Sequence, residues 1–169
     1  DAMARYGSDK PDTRFGMEIQ DISELVKNCG FGVFTSAIEN GGSVRAIVAE
    51  NAAKILTRKE IDKLTEMSRG IGAKGLAYIR WVDEKPSCSF AKFMTEDELN
   101  AIISALGCKQ GDVALIVADK NKITLPVLGA LRLKVAKQLD IIPEGYNFLW
   151  ITEFPFFEYD DESGSWLAM

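Results

Sequence analysis

The sequence contains no histidine, so it lacks both the commonest transition-metal ligand and the side chain that most often moves protons near neutral pH. A Ser-His-Asp arrangement or a histidine-bearing zinc site is thereby excluded from these residues. Cysteine is almost as scarce. Cys29, Cys88 and Cys108 are odd in number, far apart and never in C-x-x-C spacing, which reads as buried free thiols rather than a disulfide framework. No apolar run approaches the roughly 20 residues that span a bilayer, and no charged-then-apolar leader opens the sequence. A cytoplasmic protein with no membrane partner is the expectation. An excess of positive charge is also missing. A formal charge of −5 argues against gripping nucleic acid by bulk electrostatics, which needs clustered Lys and Arg, and leaves only a local basic face for that purpose.

What is present suits an ordinary globular protein. The 169 residues are 47% hydrophobic and 27% charged, enough for one core, or for a domain of about 100 residues with flanks. Nearly half of the aromatic residues fall between Tyr146 and Tyr159. Within that run Phe148, Leu149, Trp150 and Ile151 read as a strand covered on both faces. Pro155 then loosens the pairing, Asp160 to Gly164 supplies a turn, and Trp166 to Met169 reads as a second strand completing a hairpin. The chain stops inside that strand and begins at Asp1-Ala2-Met3 in what reads as a helix tail. We therefore expect an excised piece of a larger protein, with an insertion between its two ends.

Taken in order, Arg5 to Gly16 is polar and turn-rich, with Pro11 holding Lys10 extended. Such a segment is either a surface loop or the lining of a site. Its density of hydrogen-bonding heads makes Ser8, Asp9, Lys10 and Arg14 the candidates for the second role. Asp21 to Glu24 can cap a short helix whose Ile22, Leu25 and Val26 face inward. Phe31 to Ile38 reads as a strand, Asn40-Gly41-Gly42 as a hairpin turn, and Val44 to Ala49 as the partner strand with Arg45 outward. Thr57-Arg58-Lys59-Glu60 is a capping box opening a helix with Ile61, Leu64, Ser68 and Ile71 on its stripe.

A strand at Gly75 to Val82 follows, then a turn at Lys85 to Ser87 and a short strand at Ser89 to Phe93. Thr95-Glu96-Asp97-Glu98 is a second capping box, with Leu99, Ile102, Ile103 and Leu106 on one helix face. Val113 to Ala118 is a further strand and Asp119 to Lys122 a turn. Pro126 stands in the first turn of a long helix with Leu128, Leu131, Val135 and Leu139 inward and Arg132, Lys134 and Lys137 toward solvent. Strand, strand, capped helix thus occurs twice, which predicts an α+β fold: a largely antiparallel sheet with two helices on one face.

Gly70-Ile71-Gly72-Ala73-Lys74-Gly75 matches G-x-G-x-x-G by letter, but a helix precedes it and a strand follows. That is the reverse of a dinucleotide loop, so the reading is a helix stop. No P-loop occurs. Arg58, Lys59 and Lys63 could offer a basic face to RNA phosphates, or they are one side of a solvated helix interleaved with Glu60, Asp62 and Glu66. Trp81, Phe90 and Phe93 are either a stacking platform or core. Asp160-Asp161-Glu162 sits in a turn with nothing to raise a pKa.

Two flanks and the middle together carry a resemblance. Tyr6-Gly7-Ser8-Asp9-Lys10-Pro11-Asp12-x-Arg14-Phe15-Gly16 resembles a segment of bacterial-type aspartyl-tRNA synthetases. So, further along, do Gly129-Ala130-Leu131-Arg132-Leu133-Lys134, Asn147-Phe148-Leu149-Trp150, Phe154-Pro155-x-Phe157-Glu158 and Ala168-Met169. The middle, with Gly72-Ala73-Lys74-Gly75-Leu76-Ala77, Ala91-Lys92-Phe93 and Gly111-Asp112, is similar to the inserted GAD domain of that family, which tRNA-dependent amidotransferase subunits share. Thr13 and Glu153 stand where the family usually has Leu and Asp.

The resemblance implies residues 1–29 as a flank of a class II catalytic core, 30–121 as the GAD insertion, and 122–169 as a helix and aromatic hairpin returning to the core. It implies a homodimeric ligase that activates aspartate with ATP and Mg2+, by attack of the carboxylate on the α-phosphate, and then esterifies tRNA. The class II signature motifs and the family's histidine pair are implied to lie outside this stretch. No catalytic residue or metal ligand is therefore carried onto it, the piece is expected to be inactive alone, and neither ATP nor Mg2+ is expected to bind it. The loop of Ser8, Asp9, Lys10 and Arg14 is implied to border the aspartate pocket or the tRNA 3′ end, and the insertion to be an accessory tRNA-side module. The alternative is a tRNA-binding or interaction module of an amidotransferase subunit.

Overall fold

The computed structural model describes residues 1–160 and 163–168; Asp161, Glu162 and Met169, which the sequence places in the turn and final strand, lie outside the described residues. The centre is the strand β5, Val113–Asp119, whose side chains are buried on alternate sides along nearly its whole length. Val113, Leu115 and Val117 join one apolar cluster, and Ala114 and Ile116 join the other. A strand with apolar residues at successive positions needs cover on both faces, and the sheet is arranged to give it.

Around β5 are β1 (Gln20–Asp21), β2 (Ser43–Ala49), β3 (Ala77–Arg80) and β4 (Ser87–Cys88), in the order β1-β2-β5-β3-β4. Every pairing is antiparallel, with Ala46 opposite Ile116 on one side of β5 and Ala77 opposite Ile116 on the other. This agrees with the expected α+β class and antiparallel sheet. The helices differ. The helix α4 (Arg58–Ile71) packs Ile61 and Leu64 on the Val113–Leu115–Val117 face, whereas α5 (Glu96–Leu106) packs Ile102, Ile103 and Leu106 on the Ala114–Ile116 face. The two capped helices thus cover opposite faces rather than one, because β5 slots between β2 and β3 and would otherwise expose one row of apolar side chains.

The segment expected as a strand from Phe31 to Ile38 is instead the helix α3, Gly32–Glu39. Its aromatic and β-branched residues favour a strand locally, but Phe31, Phe34 and Ile38 also fall at helical spacing, and packing decides. The Phe31 and Phe34 rings meet edge-on at 4.8 Å, and Phe34 lies 5.1 Å from the buried Phe90. Asn40-Gly41-Gly42 consequently links a helix to β2 rather than two strands. The strand expected over Ser89 to Phe93 does not form: the short strand β4 comes earlier, at Ser87–Cys88, and a single 3-10 turn, Ala91–Phe93, follows. Leu25, in the short helix α2 (Ser23–Val26), and Ile71 are exposed rather than inward. Arg45 is less outward than expected, held by Asp21 at 2.9 Å.

The long helix α6 runs Asn121–Leu139, so Pro126 lies inside it and not in its first turn. One i→i−4 hydrogen bond is forgone there. Val127, Leu128, Leu131 and Val135 face the sheet with α4. Arg132 does not point to solvent; it is 1% exposed. Beyond α6 the expected strand at Phe148 to Ile151 does not form. Those residues have no strand partner, and Phe148 and Trp150 are more than nine-tenths exposed. A hairpin does form, but its first arm is β6 (Phe157–Asp160) and not the Phe148 to Ile151 segment; it pairs with β7 (Ser165–Ala168), with Tyr159 opposite Trp166 and their rings 5.4 Å apart. No helix among the described residues is long and apolar enough to cross a membrane.

Candidate functional site

The polar segment near the N-terminus is built onto α6. A short helix α1, Ala2–Tyr6, stops at Gly7, whose φ of 68° suits glycine. Here α1 crosses α6 so closely that a Cβ on Gly129 would stand 2.6 Å from the Gly7 carbonyl oxygen. Arg132, one turn further along α6, then reaches back under the segment. Its Nε donates to the Met17 carbonyl at 3.1 Å, and its Nη2 donates to the carbonyls of Phe15 at 2.9 Å and Gly16 at 2.8 Å. The guanidinium carbon lies 4.2 Å from the Phe15 ring centre and 4.9 Å from that of Tyr6. Carbonyl oxygens and ring faces thus take the place of a counter-ion. Burial holds the Arg132 pKa below its ordinary value, with Tyr6, Asp12 and Glu18 opposing.

The loop between these anchors carries the four candidates. Ser8 Oγ accepts from the Lys10 amide at 3.0 Å, a local turn. Asp9 and Lys10 face each other at 3.6 Å, and the Lys10 side chain is 89% exposed. Arg14 is more firmly held. Asp12 accepts from its Nε at 3.0 Å and its Nη2 at 2.7 Å, while Arg14 Nη1 donates to the carbonyls of Pro143 at 3.2 Å and Gly145 at 3.0 Å. Those Arg14 bonds hold the Asp12 carboxyl below the usual carboxylate range. Asn147 Nδ2 donates to Thr13 Oγ1 at 2.8 Å. At the base Glu18 takes a bidentate pair from Arg5, at 2.8 and 2.7 Å, and its pKa is lowered chiefly by that pair.

Arg14 is therefore a strut between the loop and the segment after α6, while Ser8, Asp9 and Lys10 form the accessible tip. For two organising residues, Asp12 and Arg132, local sequence carries little signal. Asp12 lies within the Tyr6–Gly16 motif, where nothing in the spacing marks Arg14 as its partner. Arg132 lay between the stripe residues Leu131 and Val135, where an arginine reads as solvent-facing.

A second surface is the start of α4. Arg58, Lys59 and Lys63 are all exposed. Lys63 pairs with Glu60 at 2.7 Å, but Arg58 and Lys59 have no ion-pair partner among the described residues. They stand in the first turn, where the helix dipole disfavours cations. Their presence is not explained by the stability of α4, and an anion could use them. A third feature is a groove of about 770 Å3 on the α3 face, lined by Phe34, Ala37, Leu76, Ala77, Ile116 and Ala118 with Lys74 and Lys120.

The G-x-G-x-x-G letters terminate α4, with Gly72 at its C-cap and β3 following, so no nucleotide loop forms. Phe90 is core; Phe93 is exposed, with Lys92 Nζ 4.8 Å above its ring. Among the described residues no group of His, Cys, Asp or Glu is placed to hold a metal ion.

Comparison with known proteins matches the same regions. A model of the GAD domain matches residues 34–128, from α3 into α6. An aspartate–tRNA ligase of Agathobacter rectalis is 58% identical over 172 residues, taking in all of this chain and 28% of that protein. An aspartate–tRNA(Asp/Asn) ligase of Lachnoclostridium phytofermentans is 54% identical over 171 residues, again with all of this chain and 28% of the relative. One of the same name from Bacillus cytotoxicus is 51% identical over 169 residues, with 99% and 29% covered. The chain therefore spans somewhat over a quarter of the length of these relatives. The similarity runs through both flanks as well as the sheet body. Since the family model accounts for more than half of its residues, and these fold as one antiparallel sheet covered on both faces, the chain belongs to the GAD domain family.

Proposed function

We propose that this chain is part of an aspartate–tRNA ligase. The whole enzyme joins the aspartate carboxylate to the α-phosphate of ATP with loss of pyrophosphate, then transfers the aspartyl group to the terminal adenosine of tRNA with release of AMP. The observation that carries this reading is identity above half with ligases of that name along the entire chain, flanks included. An amidotransferase subunit would leave the two flanks unexplained. ATP is the co-substrate. Mg2+ accompanies ATP in the whole enzyme, and in this reading the signature motifs that serve both lie outside this chain.

Within that enzyme residues 30–121 form the insertion, and 1–29 and 122–169 belong to the catalytic body. The loop tip of Ser8, Asp9 and Lys10, with Arg14 behind it, borders the site of aspartate or of the tRNA end. The exposed cations Arg58, Lys59 and Lys63 support the reading of the insertion as a tRNA-side module. The enzyme acts as a cytoplasmic homodimer, and the chain by itself is inactive. The exposed Tyr146, Phe148 and Trp150 suit a segment that the catalytic body covers.

The test is aspartate-dependent charging of tRNA by the whole protein. Lys10→Ala should slow it by more than about tenfold with the fold intact, and a near-normal rate would remove the loop from the site. Charge reversal at Arg58 and Lys59 should raise KM for tRNA and leave KM for aspartate unchanged; an unaltered tRNA KM would make the insertion a spacer.

A further inference from the structure

Arg132 is the largest side chain among those fully buried, and the sequence places it on the helix that the sheet body and the N-terminal flank share. On one side, Leu128, Leu131 and Val135 fix α6 to β2, β5 and α4. On the other, Arg132 gathers three successive carbonyls, those of Phe15, Gly16 and Met17. Three carbonyls converge on one cation only if the backbone curls around it. Met17 pays for that curl by standing at φ 64°, in the left-handed region that a residue with an ordinary side chain seldom occupies. Charge alone does not account for such an arrangement. A buried arginine placed only to fill space would be replaceable by an apolar side chain of similar length, whereas this one spends its fork on the backbone of a loop.

We propose that Arg132 is a positioning residue, which sets the place of the Ser8–Arg14 loop from α6 so that the helix of the GAD body and the loop move together. The inference rests on the reading of that loop as part of the ligase site. The geometry gives the loop a fixed root and a free tip. The root is Phe15 to Met17 on Arg132, closed by the Ile19 amide donating to the Arg5 carbonyl at 2.8 Å. The far side is tied by Arg14 to Pro143 and Gly145, just beyond the end of the same helix. Both ties refer the loop to α6, and between them Lys10 is left exposed. A shift of α6 against the sheet would therefore be delivered to the loop tip. An event at the insertion, such as tRNA reaching α4, which packs beside α6 through Gln138 and Glu60 at 3.0 Å, would have a physical route to the loop.

The experiment uses the whole ligase with Arg132→Met, which keeps the stem and removes the fork, with Arg132→Lys as a second variant that keeps the charge. Hydrogen exchange is read at the amides of Arg14 and Ile19 and, as control, in β5. Charging kinetics are read for each variant alone and combined with Lys10→Ala. Arg132→Met should speed exchange at Arg14 and Ile19 by at least about tenfold while β5 stays as in the wild type. It should also lower kcat/KM for aspartate, and the double variant with Lys10→Ala should fall no more than about twofold below Lys10→Ala alone, because both act through one loop. Arg132→Lys, with a single donor head, should lie between Met and wild type in both readouts.

Wild-type exchange at Arg14 and Ile19 in both variants overturns the clamp, whatever the enzyme does. Losses that multiply in the double variant overturn the positioning role while leaving the loop's site role standing. A Lys10→Ala enzyme that charges normally removes the loop reading itself, and this inference with it.

Discussion

Replacing Gly129 by alanine sets two effects of opposite sign against each other. In the interior of α6 the change should help, since glycine costs roughly 1 kcal/mol relative to alanine in a helix. Against it stands the crossing with α1. The new Cβ would lie 2.6 Å from the Gly7 oxygen, 2.9 Å from the Gly7 carbonyl carbon and 2.9 Å from the Tyr6 oxygen. All three are backbone atoms, so no rotamer change relieves the contact, and α1 must move or α6 must bend. Overpacking of this kind costs about 1–3 kcal/mol, and the upper end applies where only backbone can yield. The net expectation is a loss of about 2 kcal/mol. Gly70 in α4 supplies the matched control, since it too is helical and has nothing within 4 Å of a Cβ. Gly70→Ala should stabilise by about 0.5–1 kcal/mol. Urea unfolding of the two variants beside the wild type reads both values at once. A Gly129→Ala protein as stable as the wild type, or more so, would mean that α1 does not bear on α6 as described.

Three other outcomes follow from particular contacts. Thr95→Ala breaks a complete capping box, in which Thr95 Oγ1 accepts from the Glu98 amide at 3.2 Å and Glu98 accepts from the Thr95 amide at 2.8 Å; it should cost about 1 kcal/mol. Thr57→Ala should cost less, because Thr57 accepts from Glu60 at 3.4 Å and the Glu60 carboxylate is turned toward Lys63 and Gln138; the reverse order in urea unfolding would contradict this. Asp12 and Glu18 both have folded pKa values below their ordinary ones, so their contribution is present above the ordinary carboxylate range and is lost as pH falls through the lowered values. Proteolysis within residues 5–19 should accelerate only in that acid window, and an Asp12 carboxyl titrating at or above its ordinary value by NMR would refute it. Burial pushes the Cys88 and Cys108 thiols up to about 11, so alkylation near pH 8 should be slow and should rise about tenfold per pH unit; fast, pH-independent reaction at either would overturn their placement.

Legibility followed locality. Both capped helices, the central strand, the helix stop at Gly72 and the last strand are legible because each is signalled within a few residues: a Thr with Glu three places on, an unbroken apolar run, a glycine after a stripe. What failed depended on distant partners. Phe31 to Ile38 has strand composition, and its packing against distant partners, β2, β5 and Phe90, goes with a helix. The same signature of consecutive apolar residues was present at Val113–Ala118 and at Phe148–Ile151. The first is a strand buried on both faces, whereas the second, the one expected to be covered on both faces, is exposed among the described residues. Composition reports that a segment needs cover and is silent on which residues provide it. In the loop, Ser8, Asp9, Lys10 and Arg14 could be named from their density of polar heads. That Arg14 would serve as a strut and Lys10 as a free tip was not visible, since the difference lies in the carbonyls of Pro143 and Gly145.

The misreading of Arg132 and the unexpected position of the two capped helices have one cause. A helix that buries a single face shows a clean stripe, and the residues off the stripe can be assigned to solvent. In α6 the buried positions are Thr124, Val127, Leu128, Gly129, Leu131, Arg132, Val135 and Ala136, more than one face can hold. Part of that set meets the sheet and part meets the flank. Gly129 and Arg132, three residues apart and so on one side of the helix, are the two that the flank needs: one to let the backbone of Gly7 approach, the other to hold the carbonyls beyond it. Neither is apolar, so a search for hydrophobic period passes over both. The sheet is likewise buried on two sides, and a fold with two buried layers must place its helices on both. A glycine and an arginine spaced by three beside the apolar stripe of a helix are therefore the signal that a second body packs there, and in this chain that body carries the loop.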